Sequence, residues 1–113
     1  MTENINYLAE LPFAVTVCDL SGIIVYMNKK SCSTFSGDLI GKSLFDCHNE
    51  KSAEKIMEIM ATGIPNSYTI EKKGAKKLIH QSPWFKDGKA AGLIEISIQI
   101  PEGMKHFNRD KGE

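Results

Sequence analysis

Residues 38–52 read DLIGKSLFDCHNEKS, and the fold of the chain turns on how this stretch divides. Gly41, with Gly37 just upstream, argues against one continuous helix, since glycine inside a helix costs about 1 kcal/mol relative to alanine. Residues 29–46 therefore predict two or three very short helices. Asn28 enters the first, its side-chain oxygen suited to accept from the exposed N–H groups of an opening turn. Asn49 offers the same cap to a longer helix over residues 50–62. There Ala53, Ile56, Met57 and Met60 recur at i, i+3, i+4 and i+7 as one apolar face, and Gly63 with Pro65 ends the helix. The stretch also sets Cys47 directly before His48, which poses a question of chemistry: nucleophile, ligand, or merely the entrance to a helix.

Upstream, residues 13–18 (FAVTVC) are apolar and β-branched. Asp19-Leu20-Ser21-Gly22 then reads as a tight turn, and residues 23–27 (IIVYM) as a second strand. Before them, residues 3–10 predict a short helix that stops at Leu11-Pro12, because the residue preceding proline avoids the helical region. Downstream, three strands are expected over residues 67–72, 76–85 and 90–100, joined at Gly74 and at Asp87-Gly88. Two strands, short helices, one longer helix and three strands favour an α+β fold. Its five-stranded antiparallel sheet would carry the helices on one face. The expected organisation is an N-terminal cap segment over 1–12, the folded domain over 13–101 and a polar, fraying tail over 102–113.

At 113 residues with 42% hydrophobic content, the chain suits a single packed domain. Fourteen Lys and Arg balance fourteen Asp and Glu, which argues against nucleic acid as a partner, since phosphate binding needs a basic surplus. The opening MTENINYLAELPF has neither the basic start nor the apolar run of a signal peptide. No stretch approaches the ~18 apolar residues of a membrane span. Cys18, Cys32 and Cys47 cannot all pair within one chain and match no zinc spacing. A reduced, cytoplasmic protein is the expectation.

In the last strand Leu93, Glu95, Ser97 and Gln99 share one face, while Ile94, Ile96, Ile98 and Ile100 share the other. Alternation alone would bury the isoleucines under the helices and leave the polar set in water.

A resemblance changes that choice. Asp19-Leu20-Ser21-Gly22 lies in the first hairpin turn, and Tyr26-Met27-Asn28 leads into a short helix. Phe35 and the segment Asp38–Asp46 follow, then Ser82-Pro83, Asp87-Gly88 and Gly92-Leu93-Ile94. In this order and spacing, over about residues 5–101, the chain resembles a PAS domain. The departure is at the end: many such domains close with Asp-Ile-Thr, and here Gln99-Ile100-Pro101 stands in that place, which weakens the expectation of a downstream signalling domain.

The resemblance implies a five-stranded sheet folded over a small cavity. Its register turns Glu95 and Ser97, Thr16 and Cys18, and Ile79 and Gln81 inward, with His48 across from them. Buried polar groups without partners cost about 1–3 kcal/mol each, so this set requires a polar ligand, bound water or mutual pairing. The outer face, with Val15, Val17, Leu78, Trp84 and the isoleucines, would be apolar and need a cover. Ile5, Tyr7 and Leu8 are the candidates, within the subunit or swapped across a homodimer.

Against that frame Cys47-His48-Asn49 is not a protease triad, because catalytic partners meet through the fold rather than along consecutive positions. Free cysteine is usually a small buried hydrophobe, which is the structural reading of Cys47. Flavin-binding light sensors of the family carry Gly-Arg-Asn-Cys-Arg-Phe-Leu-Gln; aligned on Gly41, the cysteine position holds Leu44, so a flavin is not expected. His48 remains as a cavity residue, as the axial ligand of a haem, or as a structural group at the helix start. His80 and Trp84 read as packing residues, and His106 as solvated.

The leading expectation is a sensory module without enzymatic activity, binding a small polar ligand and acting as a homodimer. Glu95, Gln81, Ser97, Thr16, Cys18, His48 and Ile79 are the expected ligand-binding residues. No metal is expected except iron through His48 in the haem alternative, and a ligand-free interaction module is the further alternative.

Overall fold

The computed structural model describes residues 5–112, without the side chains of Cys47 and Lys111. Five strands, β1 (Ala14–Asp19), β2 (Ile24–Met27), β3 (Asn66–Lys72), β4 (Ala75–Lys86) and β5 (Lys89–Gln99), form one antiparallel sheet. Their order is β2-β1-β5-β4-β3, so the first and last strands lie side by side at its centre. Between β2 and β3 the chain makes α1 (Lys29–Thr34), a 3-10 turn (Leu44–Cys47) and α2 (Glu50–Thr62). The class read from the sequence is the class observed.

Local chemistry sets these boundaries. Asn28 caps α1 by accepting from Ser31 N–H, and the same oxygen accepts from Val15 N–H. Its amide nitrogen donates to the Leu8 and Phe13 carbonyls, so one buried side chain fastens the N-terminal segment, β1 and α1. Asn49 caps α2 through Ser52 N–H, and Gly63, at φ 76°, ends it by donating to the Ile59 carbonyl. The β3–β4 hairpin closes over Lys73 and Gly74, both at positive φ, which pairs Lys72 with Ala75 and fixes every partner behind them.

The core lies between the sheet and the helical layer. Cys18, Ile24, Leu93 and Met27 pack against Leu44, Ile56, Ile59 and Met60, with Phe35, Leu39 and Phe45 at its edge. The buried stripe of α2 is Ile56, Ile59 and Met60; Met57, expected inside, is 49% exposed. The 3-10 turn and α1 make up the rest of the helical layer. Residues 7–10 form turns, and 5–6 no regular structure, in place of the helix expected over 3–10, of which residues 3 and 4 lie outside the described residues. The Asn6 side chain accepts from Leu8 N–H, a local bond that competes with the helix.

The outer face of the sheet carries Val15 opposite Ile96, Val17 opposite Ile94 and Leu78 opposite Ile98. Ile5, Tyr7 and Leu8 do not cover it within the subunit, since all three are exposed. Bonds from Asn28 to Leu8 and from Tyr26 to Asn6 hold their segment at the β2 edge instead. His80 stands on this face and meets the Ser67 hydroxyl at 2.6 Å.

Candidate functional site

Pleating decides what looks toward the helices. Thr16 pairs with Glu95, Gln81 with Glu95, and Ile79 with Ser97, so these five side chains share the inner face. Tyr68 opposite Ile79 and Ile70 opposite Lys77 extend that face across β3. Across from the sheet stand Thr34 and Phe35 at the end of α1, and His48 between the 3-10 turn and α2. Together they enclose a cavity of about 180 Å³.

Glu95 is the chemical centre of the wall. Its Oε2 accepts from Gln81 Nε2 at 2.9 Å and lies 3.7 Å from His48 Nε2, with both members of the pair largely buried (11% and 15% exposed). Gln81 is oriented in turn by Asn66, whose amide donates to its oxygen at 3.2 Å. The other imidazole nitrogen, Nδ1, donates to the Leu44 carbonyl at 2.9 Å, which fixes the ring and aims Nε2 at the carboxylate. Burial is the largest influence on Glu95 and opposes its ionisation. His48 and Gln81 outweigh it, and the carboxyl pKa falls below the ordinary value. His48 is raised, chiefly by Glu95 and against burial. At 3.7 Å the contact exceeds hydrogen-bond length, so charge attraction carries it.

Thr16 shares a hydrogen bond with Ser31 of α1, and both are buried. Ser97 lines the cavity and its hydroxyl has no hydrogen-bond partner among the described residues. Cys18 departs from the expected set. It faces inward, but Ile24, Leu44, Ile56 and Leu93 close over it, so it packs in the core instead of lining the cavity. Burial pushes its thiol pKa up. Gln81 reaches the cavity through Glu95 and lines a second recess with Lys51, Ser52, Lys55 and Tyr68. The structural reading of the Cys47 side chain lies outside the described residues. Tyr68, Ile70, Lys72, Lys77 and Thr34 are cavity residues that the sequence reading missed. The signal was in the Lys73-Gly74 turn: counting back from it sets Tyr68 opposite Ile79.

A haem does not fit this site. Both imidazole nitrogens of His48 already face protein acceptors, leaving no lone pair aimed at a metal. The cavity is also below the ~300–1,000 Å³ of pockets that hold drug-sized ligands. No cluster of three or more His, Cys, Asp or Glu among the described residues is arranged to hold a metal ion. No helix among them is long and apolar enough to cross a membrane.

A five-stranded antiparallel sheet with short helices on one face and a small cavity between the two layers defines an α+β domain. Residues 8–102 match the family model for the PAS fold, and the chain belongs to that family. No curated protein matches it in sequence. Among solved structures, the PAS domain of histidine kinase ThkA is similar at TM-score 0.66 and 20% identity, over 76% of this chain and 97% of that one. VqmA of Vibrio cholerae is similar at TM-score 0.67 and 18% identity, over 83% of this chain and 48% of that one. A structure of VqmA bound to DPO gives TM-score 0.68 and 18% identity, over 81% of this chain and 54% of that one. The chain thus spans about half the length of the VqmA chains it matches. At these identities the likeness is one of fold.

Proposed function

We propose that this domain is a sensory module whose cavity binds a small polar ligand and whose signal passes through association of two copies. One observation carries this reading: a buried carboxylate, Glu95, held ionised by His48 and Gln81 on the wall of a small cavity. A purely structural core would bury aliphatic side chains there, because an ion pair in an interior rarely stabilises more than a packed hydrophobe. Glu95 Oε1, the Ser97 hydroxyl and His48 supply acceptor, donor and titratable groups around one small volume, and Thr16 and Ile79 complete the wall. The site orients a molecule; we read it as a binding site without catalytic activity, as in PAS domains generally, which are sensory modules.

Native mass spectrometry of freshly purified protein tests the reading. The expected result is an adduct of constant mass that denaturation releases and that Glu95→Ala weakens. An adduct-free protein whose melting temperature is unchanged by Glu95→Ala would overturn it. For association, the apolar outer face around Leu78 and Ile98, together with Ile5, Tyr7 and Leu8 exposed on the N-terminal segment, supports pairing with a second copy in which that segment covers the face.

A further inference from the structure

The cavity is chemically lopsided. Its inner end carries the Glu95–His48 pair, which is neutral as a unit when both groups are charged, together with Thr16 and Ser97. Its middle is apolar, walled by Phe35, Ile70 and Ile79. Its other end carries Lys72 and Lys77, and no acidic side chain lines it besides Glu95.

Register explains why two lysines meet there. Lys77 pairs with Ile70, and Lys72 is two residues further along β3 on the same inner face, so the two side chains are diagonal neighbours. Lys77 is half-buried, between Ile70 on one side and Gln99 on the other. Immediately outside, Lys30 of α1 and Lys73 of the hairpin turn join Lys72 and Lys77 around an adjoining recess, with Ser33 and Thr34. None of these four lysines makes an ion pair among the described residues. Among the described lysines, Lys29 pairs with Glu10 and Lys55 with Glu58, both away from this mouth. In a chain whose formal charge is zero, four unpaired cations at one cavity mouth form a local surplus. Like charges so placed repel one another, and an anion seated between them removes that repulsion.

We propose that the ligand is a small organic carboxylate bound end-on, its carboxylate at Lys72 and Lys77 and a hydroxyl or amine at its far end donating to Glu95. This rests on the cavity being a ligand site and adds the charge and polarity of what it takes. The apolar middle sets a short hydrocarbon or aromatic body between the two polar ends. Lys30 and Lys73 attract the anion to the mouth, and Lys72 and Lys77 hold it.

Calorimetric titration with 4-hydroxybenzoate and 4-hydroxybutyrate, each beside its neutral amide or methyl ester, tests the assignment. At least one free acid is expected to bind, and its neutral partner about tenfold more weakly, the scale of one charge-assisted hydrogen bond. The Lys72→Gln/Lys77→Gln double variant is expected to bind acid and neutral partner alike, and added salt to weaken only the acid. Glu95→Gln is expected to weaken both. Equal binding of acid and neutral form by the unaltered protein, or no binding of any acid, would overturn the carboxylate assignment. A purified adduct seen by native mass spectrometry would leave the cavity as a ligand site in that event, whereas its absence with an inert Glu95→Ala would remove the site itself. Retained acid preference in the double variant would also overturn the assignment.

Discussion

At Glu95 burial and charge pull in opposite directions, and the outcome has a sign that can be worked out. The carboxyl pKa lies below the ordinary 4.5, so its stabilising contribution is complete above that value and is lost as pH falls through the lowered one. The His48 pKa lies above the ordinary 6.5, so its contribution is complete below 6.5 and is lost as pH rises through the raised one. Stability is therefore expected to peak between 4.5 and 6.5. His48→Gln should flatten this peak and cost about 1–3 kcal/mol within it, since a buried carboxylate loses its charged partner. Urea denaturation at a series of pH values checks both points. Gly92 supports a second residue-scale prediction. The Trp84 indole crosses it to donate to the Cys18 carbonyl at 2.9 Å, and a Cβ at Gly92 would collide with that carbonyl oxygen and the ring. Gly92→Ala should destabilise by about 1–3 kcal/mol, the range for overpacking, and shift the tryptophan fluorescence as the ring is displaced.

Among the elements, α1 depends on a single side chain. Asn28→Ala removes the cap of α1 and leaves the Val15 N–H and the Leu8 and Phe13 carbonyls without their partner. With a cap worth about 1 kcal/mol and buried orphans about 1–3 kcal/mol each, the expected loss is at least about 2 kcal/mol. Asn28→Asp keeps the acceptor but not the donors and should fall between the two in thermal unfolding. Element types were legible because their signals are local: Asn28, Asn49 and Gly63 mark helix ends, and Gly74 and Asp87-Gly88 mark hairpins. The helix expected over residues 3–10 was misread because a side-chain bond from Asn6 acts on one turn and leaves no periodic trace. Met57 was misread for another reason. Periodicity gives the apolar arc of a helix but not which edge of it the sheet meets, and contact falls on Ile56, Ile59 and Met60.

The whole molecule decides the facing of the sheet, which no single strand can. Leu93, Glu95, Ser97 and Gln99 alternate with isoleucines, and hydrophobicity alone would have turned the isoleucines inward. Only the pairing of β5 with both β1 and β4, with Thr16 and Gln81 on either side of Glu95, makes the polar register self-consistent. The lysines of the cavity mouth were invisible for the same reason, since their meeting depends on β3–β4 pairing and on α1 lying across it. The apolar outer face left by this register gives a further prediction. Sedimentation equilibrium should find a dimer, and Leu78→Glu with Ile98→Glu should dissociate it; a monomer at every concentration would contradict the association.

His48 belongs to the helical layer and Glu95 to the sheet, so the state of one imidazole reports whether the two layers face each other across the cavity. NMR titration of the His48 ring in the unaltered protein and in Glu95→Gln is the most direct measurement. A midpoint above 6.5 that falls on substitution is expected, because the carboxylate is the main influence raising it. A midpoint at or below 6.5 that the substitution leaves unmoved would mean that Glu95 does not face the helices, and the site built around it would not stand.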